Sequence, residues 1–93
     1  MTILSGQKTV TASGTAVQLG TAQVDGPLMV KALDTNTGIV AIGNDGANDV
    51  TVSNGLRLAA GDVIIFDYAG NLGALWLDSA VNGEGVSWIQ LNV

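Results

Sequence analysis

The chain has 93 residues, 47% hydrophobic but only 12% charged, and eight acids against three cations leave a net charge of −5. That length makes one domain around a single core. Lys8, Lys31 and Arg57 are too few and too scattered for the basic stripe that binds phosphates, so nucleic acid and anionic membranes are not expected partners.

Globular chains carry roughly 25% charged residues; here Gly, Ala, Thr, Ser and Asn take their place. Large exposed apolar patches are rare on monomers, so a small domain this poor in charge is expected to hide surface against partners, as an oligomer or assembly subunit. No run approaches the ~20 apolar residues of a membrane helix.

Residues 1–6 lack the basic and apolar segments of a signal peptide, so no export signal is expected. No core strand claims Ile3 or Leu4. Residues 1–6 therefore read as a flexible arm ordered on a neighbour, and residues 7–93 as one domain.

The 13 glycines run through the whole chain and interrupt every helical period. Short β-rich runs bounded by turn residues predict strands over 7–12, 15–19, 28–34, 38–43, 56–58, 62–68, 74–78 and 86–92. Ser13-Gly14 punctuates the first two, and Asp25-Gly26-Pro27 halts pairing before the third because proline has no N–H to donate.

The strands over 62–68, 74–78 and 86–92 are apolar on both faces, which points to a second burial surface outside the core. Seven to eight such strands predict an all-β fold, an antiparallel β-sandwich of jelly-roll or Greek-key type.

Near the end, Asn82, Gly83, Glu84 and Gly85 form a sharp corner between two strands. The corner reads as hairpin-like, returning the last strand beside its predecessor. Glu84, the one glutamate, is expected to accept backbone N–H bonds that stiffen the turn; an exposed loop acid is its plainer reading.

Reactive groups are scarce. Without His or Cys there is no Ser–His or Cys–His pair, no disulfide and no His- or Cys-ligated zinc. The aspartates sit mostly at strand ends and turns, where they bond to neighbouring N–H groups; Asp67 is the exception, facing solvent or pairing with Lys31 or Arg57. The 44–49 loop carries oxygen ligands but departs from the EF-hand pattern, so a polar turn is expected, with a weak surface Ca²⁺ site as the alternative. No cofactor or catalytic role is expected. Tyr68, Trp76 and Trp88 lie in apolar strands and read as core or subunit-contact residues; a sugar-stacking platform is the other reading.

From Lys31 onward the chain resembles small bacteriophage virion proteins of the capsid decoration, or cement, type. The likeness rests on Lys31-Ala32-Leu33, Thr35-Asn36-Thr37-Gly38, Val40, Ile42-Gly43, Ser53-Asn54-Gly55, Leu58-Ala59-Ala60-Gly61 and Asp78. Its most specific part is Val81-Asn82-Gly83-Glu84-Gly85-Val86. The 43–53 loop is longer than in that family, and the 70–73 turn also departs from it.

The resemblance implies a non-enzymatic homotrimeric subunit that binds the major capsid protein on the outer surface of the virion head. Ile3, Leu4, Tyr68, Trp76 and Trp88 are then the expected subunit or capsid contacts. A carbohydrate- or receptor-binding module of a virion fibre or spike is the alternative.

Overall fold

A computed structural model describes residues 3–44 and 50–91. Its strands are β1 (Ser5–Thr9), β2 (Val17–Gln18), β3 (Gln23–Val24), β4 (Leu28–Ala32), β5 (Val40–Gly43), β6 (Leu56–Leu58), β7 (Val63–Phe66), β8 (Gly70–Asn71), β9 (Trp76–Ser79) and β10 (Gly85–Gln90). A 3₁₀ turn over Leu72–Ala74 precedes β9. The expected strands are all present, several shorter than the pattern implied, and β3 and β8 are additional.

One sheet has the order β1-β10-β4-β7, a second β2-β9-β5-β6, and β3 pairs with β8 alone. Every pairing is antiparallel. With the β3–β8 pair set aside, the two large sheets run first-eighth-third-sixth and second-seventh-fourth-fifth in chain order. That is the jelly-roll arrangement of a β-sandwich.

Period-two alternation builds the core. In β4, Leu28, Val30 and Ala32 are buried while Met29 and Lys31 are not. They meet Val86 of β10, Val40 and Ile42 of β5, and Leu77 of β9 in one cluster with Val10 and Leu72. Leu72 reaches that cluster from the 3₁₀ turn, where Asn71 Oδ1 accepts the Gly73 N–H at 2.7 Å. The turn takes up Leu72–Ala74, so β9 starts at Trp76, two residues after the pattern placed it.

β1 starts at Ser5, inside the stretch expected to be an arm. Leu4 is already tied to β10: its C=O accepts from Gln90 N at 2.8 Å, and its N–H donates to Gln90 Oε1 at 3.3 Å.

The corner over 82–85 is a correction to the hairpin reading. β9 pairs with β2 and β5, whereas β10 pairs with β1 and β4, so the chain crosses from one sheet to the other. Backbone packing forces the crossing. Gly83 adopts a φ of +83°, its N–H donates to Val10 O at 2.7 Å, and Val10 N donates to Glu84 O at 2.8 Å. Gly85 then lies flat on β1, where a Cβ would collide with Lys8 O and stand 2.6 Å from Thr9 Cα.

Only glycine fits at that crossing. Gly85→Ala is expected to destabilise the fold by about 3 kcal/mol, the upper end for an overpacked site, as read from urea unfolding. Ala at Gly14, whose φ is +91° but whose Cβ direction is open, should cost less.

Candidate functional site

The outer face of the β1-β10-β4-β7 sheet carries apolar side chains that no other element covers among the described residues. The register places Ser5, Ile89, Met29 and Ile65 in one row across the four strands. Gln7, Ser87, Lys31 and Val63 form the next row. Ile65 is 53% exposed, Val63 47% and Ile89 43%.

A shallow groove of about 490 Å³ runs over β1, β10 and β4, lined by Ser5, Gly6, Gln7, Met29, Lys31, Ser87, Trp88 and Ile89. Lys31 is its one ionic group and pairs with Asp34 at 3.3 Å. Apolar residues this exposed around a single ionic group make the face the candidate contact surface.

The expected contact residues do not share one surface. Ile3 and Leu4 are exposed beside the start of β1. Trp88 is half-buried, packs against the core and lines the groove from below. Its indole lies over Gly6, where a Cβ would sit 2.9 Å from Cζ2. Trp76 is half-buried on the other sheet, opposite Gln18 and Gly43.

Tyr68 is 65% exposed near the β3–β8 pair, and its hydroxyl donates to Asp25 Oδ1 at 3.0 Å. Gln23 Nε2 donates to the same oxygen at 2.9 Å. The Gln23 bond and then the Tyr68 bond hold the Asp25 carboxyl below its ordinary pKa, and the bond to Asp25 raises that of the phenol.

Met29, Val63, Ile65 and Ile89 were not singled out from sequence. The signal was the two-faced apolar pattern of 62–68 and 86–92, which gave the surface without naming its members. Asp67 is exposed, and Lys31 is taken by Asp34. Residues 45–49, most of the loop read as a polar turn or Ca²⁺ site, lie outside the described residues.

Glu84 accepts backbone N–H bonds as expected, but from a distant turn and not from its own corner, where Gly83 N donates to Val10 O and Gly85 N to Asn36 Oδ1. Glu84 Oε2 accepts from Thr37 N at 2.7 Å and Thr37 Oγ1 at 2.9 Å, and Oε1 accepts from Gly38 N at 3.0 Å. In return the Asn36 amide clamps the Gly85 peptide: Nδ2 donates to Gly85 O at 2.8 Å and Oδ1 accepts from Gly85 N at 3.3 Å. Asn82 Oδ1 accepts from Ser13 N at 2.8 Å, and the buried Asp78 Oδ1 accepts from Gly14 N and Ser79 N at 3.0 and 2.8 Å. These carboxyls are structural braces. Among the described residues no three acids gather as a metal-binding group.

Comparisons with protein-family models, with curated proteins and with solved structures find no match.

The bonds from Gly38 and then Thr37 hold the Glu84 carboxyl below its ordinary pKa of 4.5. A carboxylate depressed on folding adds stability that is fully present above the unfolded value and is lost as pH falls through the folded one. Wild-type stability is therefore expected to decline below pH 4.5, and Glu84→Gln should flatten that decline in acid titrations of the melting temperature. At neutral pH Glu84→Ala should melt below Glu84→Gln, which keeps one acceptor oxygen. Asp78→Ala should cost about 2 kcal/mol, because it strands the buried Ser79 N–H and frees the Gly14 N–H that the carboxyl now ties down.

Proposed function

We propose that the chain is a non-enzymatic structural protein of a bacteriophage virion, a capsid decoration or cement subunit that binds the outside of the icosahedral head as a homotrimer. The observation that carries this reading is the outer face of the β1-β10-β4-β7 sheet, where Val63, Ile65 and Ile89 stand exposed around a single ionic group. A cement subunit needs adhesive surface and rigidity. The sheet face supplies the first and the braced corner the second. The jelly roll is a fold of viral capsid and lectin domains, which agrees with the reading without establishing it, since a fold hosts many functions. The phage assignment and the number three come from the resemblance of residues 31–86.

Binding through such a face is dominated by apolar burial, so moderate salt should leave it intact. Heads assembled without the protein should bind it when added back and then resist heat longer, because a ligand of the assembled state stabilises that state by mass action. Ile89→Ser removes one exposed apolar anchor from a central strand. It should bind heads at least tenfold more weakly, burial of such a side chain being worth about 1.5–3 kcal/mol and tenfold in affinity about 1.4 kcal/mol. Its folding stability should change little, as at most exposed sites. Heads equally robust without the protein, or release of the protein in moderate salt, contradict the proposal.

A second reading, a carbohydrate- or receptor-binding module, is favoured by one observation. The exposed Tyr68 ring is held by its bond to Asp25 beside Gln23, an aromatic face with polar neighbours that suits a sugar. Glycan-array binding that disappears in Tyr68→Ala would support it; an array without signal removes it.

A further inference from the structure

Among the described residues both edges of the β1-β10-β4-β7 sheet are open, and they differ in a way that selects their occupant. Gln90 N donates to Leu4 O and Val10 N to Glu84 O, which brackets the β1–β10 ladder. Bonded residues alternate in an antiparallel ladder, so even-numbered residues of β1 face β10, and Ser5, Gln7 and Thr9 turn their N–H and C=O groups outward. On the opposite edge Ala32 N donates to Asp62 O, so Ile64 and Phe66 face β4, and Val63 and Ile65 turn outward. No backbone bond among the described residues reaches these outward groups. The second sheet ends instead in strands of two and three residues, the short edges that discourage pairing.

We propose that β7 of one copy pairs antiparallel with β1 of the next, head to tail. Two features of the sheet fit this occupant. With four strands, the outward-bonding residues of both edges carry side chains on the same outer face, so the added strand continues the pleat in phase. With neighbouring strands antiparallel throughout, β1 of a second copy set beside β7 in the same orientation also runs antiparallel to it.

Charge then favours unlike edges over like ones. The exposed Asp62 and Asp67 flank β7. β1 carries Lys8, which has no carboxylate within 4.0 Å among the described residues. Pairing β7 with β7 through these outward residues, Val63 opposite Ile65, sets Asp62 across from Phe66 and brings no cation to it. Pairing β7 with β1 sets Ser5 opposite Ile65, Gln7 opposite Val63 and Lys8 opposite Asp62. Head-to-tail contacts of this kind either close into a ring or grow as a filament. Closure at three gives the trimer of the proposed function, from which the inference takes only that copies associate. It is tested without any capsid, so its failure and the failure of head binding are separate results.

Proline removes the N–H of an edge residue while leaving the strand able to form. Gln7→Pro and Ile65→Pro therefore block one edge each. Sedimentation equilibrium at micromolar concentration is expected to give a multiple of 9.4 kDa for the wild type and single copies for either variant. An equimolar mixture of the two should form one-to-one dimers, since each supplies the edge that the other lacks. A monomeric wild type, either variant still associating alone, or a monomeric mixture of variants with wild-type circular dichroism overturns the proposal.

Should a proline variant lose its β spectrum, cross-linking decides. The chain has no cysteine, and Gln7 and Val63 are exposed. A Gln7→Cys/Val63→Cys chain should oxidise into a disulfide-linked series, because bonded cross-strand pairs lie within disulfide reach. Absence of that series, or a ladder of equal extent from Val63→Cys alone, rejects the head-to-tail pairing.

Discussion

The fold depends on a reciprocal clamp between two turns that are distant in the chain. Asn36, in the turn after β4, holds both polar groups of the Gly85 peptide, while Glu84 holds the N–H groups of Thr37 and Gly38. Each turn supplies what the other lacks. The 36–38 turn has N–H groups that no strand pairs, and the 82–85 corner has a carboxylate and a bare glycine peptide. Because the corner carries the chain from one sheet to the other, the clamp fixes where β10 enters between β1 and β4. Misplacing it by one residue would turn Val86 out of the core and Ile89 into it.

That placement decides the character of the outer sheet face. Once Val86 points inward, Ser87 and Ile89 must point outward and join Met29, Lys31, Val63 and Ile65. The residues that build the core therefore also dictate which side chains are left exposed. The same alternation places the backbone groups of Ser5, Gln7, Val63 and Ile65 on the open edges, so the face and the edges are two consequences of one register.

Legibility in the sequence followed the range of each signal. Alternation within a strand is local, and it located β4, β5, β6, β7 and β10 to within a few residues. β3 and β8 have two residues each, too short for any period to register, and Tyr68 beside them therefore read as part of a longer strand. The 3₁₀ turn at Leu72–Ala74 hid behind the apolar run that follows it. Asn82-Gly83 announced a sharp bend, but turn chemistry reports the bend and not the strand beyond it. A hairpin and a sheet-to-sheet crossing look alike at that range. The flanking glycines suggested that Glu84 braces its own turn, but their N–H groups go to Val10 O and Asn36 Oδ1, and the partners it does hold, Thr37 and Gly38, are 47 and 46 residues away. The exposed apolar face was visible only as too many apolar residues for one core.

The topology also constrains how the chain comes to be folded during synthesis. β9 and β10 are the last strands to be translated among those described, and each occupies an interior position in its sheet. Until they emerge from the ribosome, β1 has no neighbour to pair with, and β2 has none either. Leu4 must wait for Gln90, 86 residues later, and closing so long a loop delays the first productive contacts. The pairs β3–β8, β4–β7 and β5–β6 can form earlier, but the apolar faces around the places of β9 and β10 stay open to other chains meanwhile. Both sheets of the jelly roll are therefore completed by the last two strands described.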